Sequence, residues 1–294
     1  MDRKIMTKAV FAFLLAAGAC LAWEHPKSCD VHRKDPKVDA VLEQLNKKTG
    51  ELKSYQCRIE YEYIQPLLES KSLWRGVLYY SRSGRKSALR INFNTLKQED
   101  EKEQKNVEQY IVVDGSRLTH PNRQLKGVWL AHVDHQIEEA KYYQLAEPND
   151  SNEPVDVFDL ASKNLPMLGF SKTEDLKKQF FIELVEQKKG KSGDFTQVNL
   201  KVKPNSVYKD DYISIDFWID KKSGLPARIR AIKTEPEPPY GDIYEIRFLK
   251  AKVNKGIDKK VFEFKIPKGF GEPEVIPLPK KGKWGQDGLG NIDP

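Results

Sequence analysis

The residues richest in chemistry fall in one short run, His132-Val133-Asp134-His135, with Glu138 and Glu139 just beyond it. In an extended chain His132 and Asp134 share a face; in a helix His135 and Glu139 would come together. Either pairing joins imidazole to carboxylate, the donor set of a zinc site or of a general base. We read the run as solvated polar residues at a strand-to-helix junction and expect neither a metal nor a cofactor. A hydrolase using His132 and His135 stays as a third functional alternative. No Gly-x-Ser-x-Gly elbow, phosphate-cradling loop or Cys-x-x-Cys pair occurs. Asp156 and Asp159 read as acidic residues at a helix start, where the dipole favours them, and not as an acid/base pair. No catalytic residue is assigned, and the chain is expected not to be an enzyme.

Composition narrows the partners. The chain has 294 residues, 32% of them charged, and a formal net charge of +7. Residues 1–22 read as an export signal: Arg3, Lys4 and Lys8 lead into the apolar stretch Ala9–Ala22, which is short for a membrane span. Cleavage after Ala22 also removes Asp2 and leaves a charge of about +5. Ala17-Gly18-Ala19-Cys20 offers a second reading, in which Cys20 is acylated, becomes the N-terminus and anchors the protein to a membrane. The expected location is the periplasm, or a membrane surface in the Cys20 reading. Lys and Glu are interspersed over most of the remaining chain, which describes a solvated surface and not a nucleic-acid footprint. Cys29 and Cys57 stay in an exported chain, where a disulfide between them is expected.

The elements that must position any site are mostly strands. Asp35-Pro36 announces a helix, and Val38, Val41, Leu42 and Leu45 form an apolar stripe that ends near Leu52. Beyond Ser54 the period changes to two, first over Tyr55–Tyr63, then around Trp74–Tyr80 and Leu89–Phe93. The charged run Lys97–Asn106 reads as a projecting hairpin loop. Tyr110–Val113 re-enters the sheet before the Asp114-Gly115 turn, and Val128 with Leu130 suggests a further short strand. Glu138–Leu145 and Pro154–Leu165 are expected to be helical, and Thr173 to cap a helix that turns Leu176 and Phe180 inward. Ile182–Leu184 and Val198–Val202 follow as strands.

The strongest alternation lies in Tyr212–Phe270, read as four consecutive antiparallel strands. Ile213, Ile215, Phe217 and Ile219 share one face, and Asp220–Gly224 makes the hairpin turn. Ile246 with Phe248, and Phe262 with Phe264, repeat the pattern in the last two strands. The tally is about eleven strands in one domain over residues 23–270, with residues 271–294 as a flexible Pro/Gly/Lys-rich tail.

Three segments together resemble the LolA/LolB-type lipoprotein-carrier family of bacterial envelopes. They are Gly76-Val-Leu-Tyr-Tyr-Ser-Arg82 with Leu89-Arg90-Ile91, then Val112-Val113-Asp114-Gly115 through Pro121, and Trp218–Pro226 paired with Phe262-Glu-Phe264-Lys-Ile-Pro267-Lys-Gly269-Phe270. The resemblance spans about Val38–Phe270. It implies a mainly β fold, a single strongly curved antiparallel sheet forming an incomplete half-barrel with helices in its mouth. It also implies that acyl chains of lipids or lipoproteins lie in an apolar cavity, shuttled between envelope membranes by a monomer that docks transiently on a membrane partner protein. The cavity candidates are Trp74, Leu78, Tyr80, Leu89, Ile91, Phe93, Ile213, Ile215, Phe217, Ile219, Ile246, Phe248, Phe262 and Phe264. Val38, Val41, Leu42 and Leu45 would form the lid helix, and Arg90 matches the family's lid-bonding arginine. Ser83 stands where the family has Pro, and Lys97–Asn106 is an insertion. The alternative function is an envelope-stress sensor or regulatory binding module on the same fold.

Overall fold

The computed structural model describes residues 35–84, 86–148, 157, 173–185, 193–234 and 241–278. The expected export signal, Cys20, Cys29, Asp156 and Asp159 lie outside the described residues, as does nearly all of the expected helix Pro154–Leu165.

Helix α1 (Pro36–Gly50) begins as the residues dictate: the Asp35 side chain accepts from the Lys37 N–H at 2.9 Å, and Pro36 sits in the first turn. It leads into β1 (Ser54–Gln65), β2 (Ser70–Ser83), β3 (Lys86–Gln98), β4 (Gln104–Asp114), β5 (Val128–Asp134) and β6 (Glu139–Ala146). The short α2 (Thr173–Gln179) precedes β7 (Phe180–Leu184), β8 (Phe195–Val202), β9 (Tyr212–Asp220), β10 (Pro226–Lys233) and β11 (Ile243–Val253), and β12 (Glu274–Ile276) comes last. The twelve strands among the described residues join one curved, unclosed sheet in the order β12-β6-β5-β4-β3-β2-β1-β11-β10-β9-β8-β7. Every neighbouring pair is antiparallel except β12 with β6. The mainly β, helix-covered half-barrel is therefore the observed architecture. Among the described residues no helix is long and apolar enough to cross a membrane.

Two covers protect two faces. On the helix face, Val38, Leu42 and Leu45 of α1 and Leu176 of α2 pack with buried residues of ten strands in one core. Thr173 Oγ1 donates to the Leu42 carbonyl at 3.1 Å, and Lys177 pairs with Asp39 at 2.9 Å, so the two helices are tied together. Asn254, just past β11, accepts from the Lys53 N–H at 2.7 Å and holds the end of α1 to the β1 end of the sheet. On the opposite face, Phe262 and Phe264 close a second core with Ile111, Val113, Trp129, Ala131, Val133 and Tyr142. The chain after β11 thus lies across β3–β6 as a strap.

Three expectations need correction. Glu138–Leu145 is not helical: Ala140 and Tyr142 point to the strap face while Tyr143 and Leu145 face the helices, the alternation of β6. Val261–Ile266 is not a strand. Asp258 accepts from the Lys260 N–H at 3.0 Å and starts a single 3-10 turn, Lys259–Phe262, and the extended chain beyond it pairs with no strand. The region expected to be a loose tail contributes β12, which raises the strand count to twelve. The charged run Lys97–Asn106 does turn, but β3 and β4 extend into it, leaving Glu99–Glu103 between them.

Gly76 is required by close approach. A Cβ there would lie 1.9 Å from the Asn92 carbonyl oxygen, where the β2–β3 register shifts. Gly224 closes the β9–β10 hairpin at φ +70°, its N–H bonded to the Asp220 carbonyl at 2.8 Å.

The strap core has a measurable weight. Phe262→Ala or Phe264→Ala, at sites 3% and 6% exposed, should each cost about 3–5 kcal/mol in urea unfolding. Leu67→Ala, at a site 70% exposed, should change stability by under about 0.5 kcal/mol.

Candidate functional site

The helix face gathers most of the residues that the sequence nominates. Trp74, Leu78, Tyr80, Leu89, Ile91, Phe93, Ile215, Phe217, Ile219, Ile246 and Phe248 belong to one core with Val38, Leu42 and Leu45, and Val41 packs against its edge. Ile213 does not join them. It is 41% exposed at the start of β9, where the strand emerges from the polar Lys209–Asp211 turn. Phe262 and Phe264 are in the strap core and line nothing on the helix face.

Arg90 also stands on the strap face, because its neighbours Leu89 and Ile91 occupy the helix face. Its Nη1 donates to the Val261 carbonyl at 2.8 Å and to the Glu263 carbonyl at 3.3 Å. Nε reaches Asn92 Oδ1 at 2.8 Å and Nη2 reaches Gln109 Oε1 at 3.1 Å. Desolvation lowers its pKa, yet the guanidinium stays charged and is satisfied by these oxygens. Arg90 holds the strap and bonds neither α1 nor α2.

Burial along the helix face is graded. Near α1 the side chains are sealed: Tyr55 is 1% exposed, Leu78 0% and Tyr80 1%. Toward the other end of the strands Tyr61, Tyr63, Tyr110 and His132 are only half-buried. Together with the buried rings of Tyr244, Trp74 and Phe93 they form a continuous row across β11, β1, β2, β3, β4 and β5. Tyr63 stacks on Tyr244 at 4.9 Å, and Tyr61 meets Tyr244 at 6.0 Å, Trp74 at 5.5 Å and Phe93 at 6.2 Å. Phe93 sets its edge to Tyr110 at 6.1 Å, and Tyr110 stacks on His132 at 4.6 Å. Such rings provide a large contact area at low rotamer cost.

Polar groups mark both ends of the row. The Tyr63 hydroxyl donates to Asp242, and Lys233 Nζ sits 5.4 Å from the Tyr244 ring centre. At the β4–β5 end, Glu108 Oε1 accepts from the Tyr110 hydroxyl at 2.6 Å and lies 2.6 Å from His132 Nε2. His132 thus pairs with Glu108 of the neighbouring strand, and among the described residues no three metal-ligating side chains converge. Tyr61 and Tyr63 were legible, being in phase with Cys57 and Ile59. Glu108 is in phase with Tyr110 and Val112, which was the available signal for a carboxylate on this face.

Cys57 is a buried free thiol in the sealed part of the face; Cys29, its expected partner, lies outside the described residues.

No family model and no curated protein matches the chain. Solved structures similar to it include a DUF1329 family protein from Desulfovibrio piger, 10% identical at TM-score 0.40, with 77% of this chain and 97% of that one covered. MucB is 10% identical at TM-score 0.45, with 83% of this chain and 66% of that one covered. A LolA superfamily protein from Nitrosomonas europaea is 11% identical at TM-score 0.31, with 76% and 96% covered.

Burial raises the Cys57 thiol from 9.0 and the Tyr142 phenol from 10.0, each to about 12, and it raises Tyr55 and Tyr110 as well. The folded protein keeps these protons where the unfolded chain has released them, so stability falls as pH rises. Urea midpoints should hold steady up to pH 9.0 and then decline progressively toward pH 12.

Proposed function

We propose that this is an exported carrier that binds acyl chains of lipids or lipoproteins against the helix face and moves them between envelope membranes. The observation that carries the reading is the burial gradient: the face is sealed beneath α1, while Tyr61, Tyr63, Tyr110 and His132 of the aromatic row are only half-buried. A hydrocarbon tail laid on that row gains about 0.8 kcal/mol for each methylene withdrawn from water. The rings supply the contact surface, and the helices, attached to the sheet through α1 and the Thr173–Leu42 bond, supply a cover. Binding of this kind needs no catalytic group.

The same reading assigns residues 1–22 as the export signal and 23–270 with the strap as the functional domain, in the periplasm or, if Cys20 is acylated, tethered to a membrane. A docking protein in one of the membranes would receive the cargo. The motif resemblance to lipoprotein carriers supports this placement.

Native mass spectrometry of protein extracted gently from its host should show acyl-lipid adducts. A fluorescent fatty-acyl probe should bind, and Tyr61→Ser with Tyr63→Ser should weaken it about tenfold at an unchanged fold. A protein that emerges ligand-free and ignores the probe would overturn the proposal.

A further inference from the structure

The helix face carries one feature that a hydrocarbon chain does not need. The Glu108 side chain is 5% exposed and stands opposite Phe93 in the β3–β4 register, beside Tyr110 and His132. A carboxylate in such surroundings is costly unless it is fully hydrogen-bonded. Here one oxygen takes both 2.6 Å contacts, from the Tyr110 hydroxyl and from His132 Nε2. Desolvation, then the Glu108 and Asp134 charges among other neighbours, push the Tyr110 pKa up, so the phenol remains a donor. His132 meets the carboxylate through Nε2–H, which leaves Nδ1 as its second polar atom. That nitrogen has no partner among the described residues, and the His132 side chain is 16% exposed. It and Glu108 Oε2, which likewise forms no hydrogen bond among the described residues, are the open polar atoms of the cluster.

We propose that Glu108, Tyr110 and His132 form a hydrogen-bonding site for the polar end of a bound amphiphile, selecting an uncharged hydroxyl, ester or amide over a carboxylate. The inference rests on the acyl-binding reading and specifies its ligand class. Neutral imidazole accepts at Nδ1 from a hydroxyl or amide; imidazolium donates from Nδ1 to an ester or amide carbonyl. An uncharged polar end is therefore served in either protonation state. A ligand carboxylate would have to share one imidazolium with Glu108, leaving a negative charge uncompensated among aromatic rings. Asp134, opposite Glu108 in the β4–β5 register, adds to that negative field. Lys233, the cation of the row, sits over Tyr244 at its other end. The geometry thus orients the ligand, with its polar end at β4–β5 and its chain along the rings toward β1 and β11.

The test is displacement of a fluorescent acyl probe by monopalmitoylglycerol, hexadecanol and palmitate, each kept below micelle formation. In the wild type the two uncharged lipids should compete about tenfold better than palmitate. Glu108→Gln keeps an acceptor for Tyr110 and His132 and should bring the ratio close to one. His132→Phe keeps the stack on Tyr110 and should weaken the uncharged lipids selectively. Equal competition in the wild type, or a ratio that Glu108→Gln leaves unchanged, would overturn the selectivity while acyl binding stands. If the wild type holds no probe at all, the acyl-binding reading fails and this inference falls with it. Urea midpoints identify any misfolded variant, and the wild-type ratio decides the matter without one.

Discussion

Alternate residues of a strand point to opposite sides, so a cover on one side of a sheet cannot shield the other. The chain meets that constraint asymmetrically. Over β3–β6 both faces are apolar, and the strap is spent on the second of them. Over β8–β11 and β1 the second face is instead a charge ladder that tolerates water. Glu245, 4% exposed, sits between Arg228 at 2.5 Å and Arg247 at 2.7 Å, and Arg247 continues to Glu60 and Glu62. Arg228 also lies 4.2 Å from the Trp218 ring centre. The helices are thereby left to cover the helix face alone, where Tyr61, Tyr63, Tyr110 and His132 stay half-buried.

Arg90 shows how the two faces are coupled through backbone geometry. It sits between Leu89 and Ile91, which are in the helix-face core, so its guanidinium can only emerge on the strap side. There it converts two strap carbonyls, Val261 and Glu263, into fixed points on the β3 surface. A half-buried guanidinium requires several acceptors, and carbonyls of a chain without strand partners require donors; each solves the other's problem.

Much of this was readable from residue types. Period-2 runs located β1, β2, β3, β9, β10 and β11, and Asp35-Pro36 located α1, because those patterns follow directly from local geometry. Phe262, Phe264 and Ile266 misled, since an extended segment lying on a sheet surface alternates as a paired strand does; only hydrogen-bond partners, which are non-local, tell them apart. The β6 segment misled for a different reason. Its eight residues mix Ala, Tyr and Leu in an order that suits either period. Glu108 went unnoticed as a site residue because its value comes from His132 across the β4–β5 ladder, a juxtaposition created by register. The side taken by Arg90 was open in the sequence and was decided by which face the helices cover.

The parallel pairing of β12 with β6 has a consequence for life in a crowded compartment. Its three residues occupy Lys141–Tyr143, the middle of a strand that would otherwise present its backbone donors and acceptors to any passing extended chain. Lys141 adds ion pairs to Glu139 and, at 3.9 Å, to Glu274. The last described stretch of the chain thus acts as a hem on the sheet, discouraging fibre growth from an edge that folding alone would leave sticky.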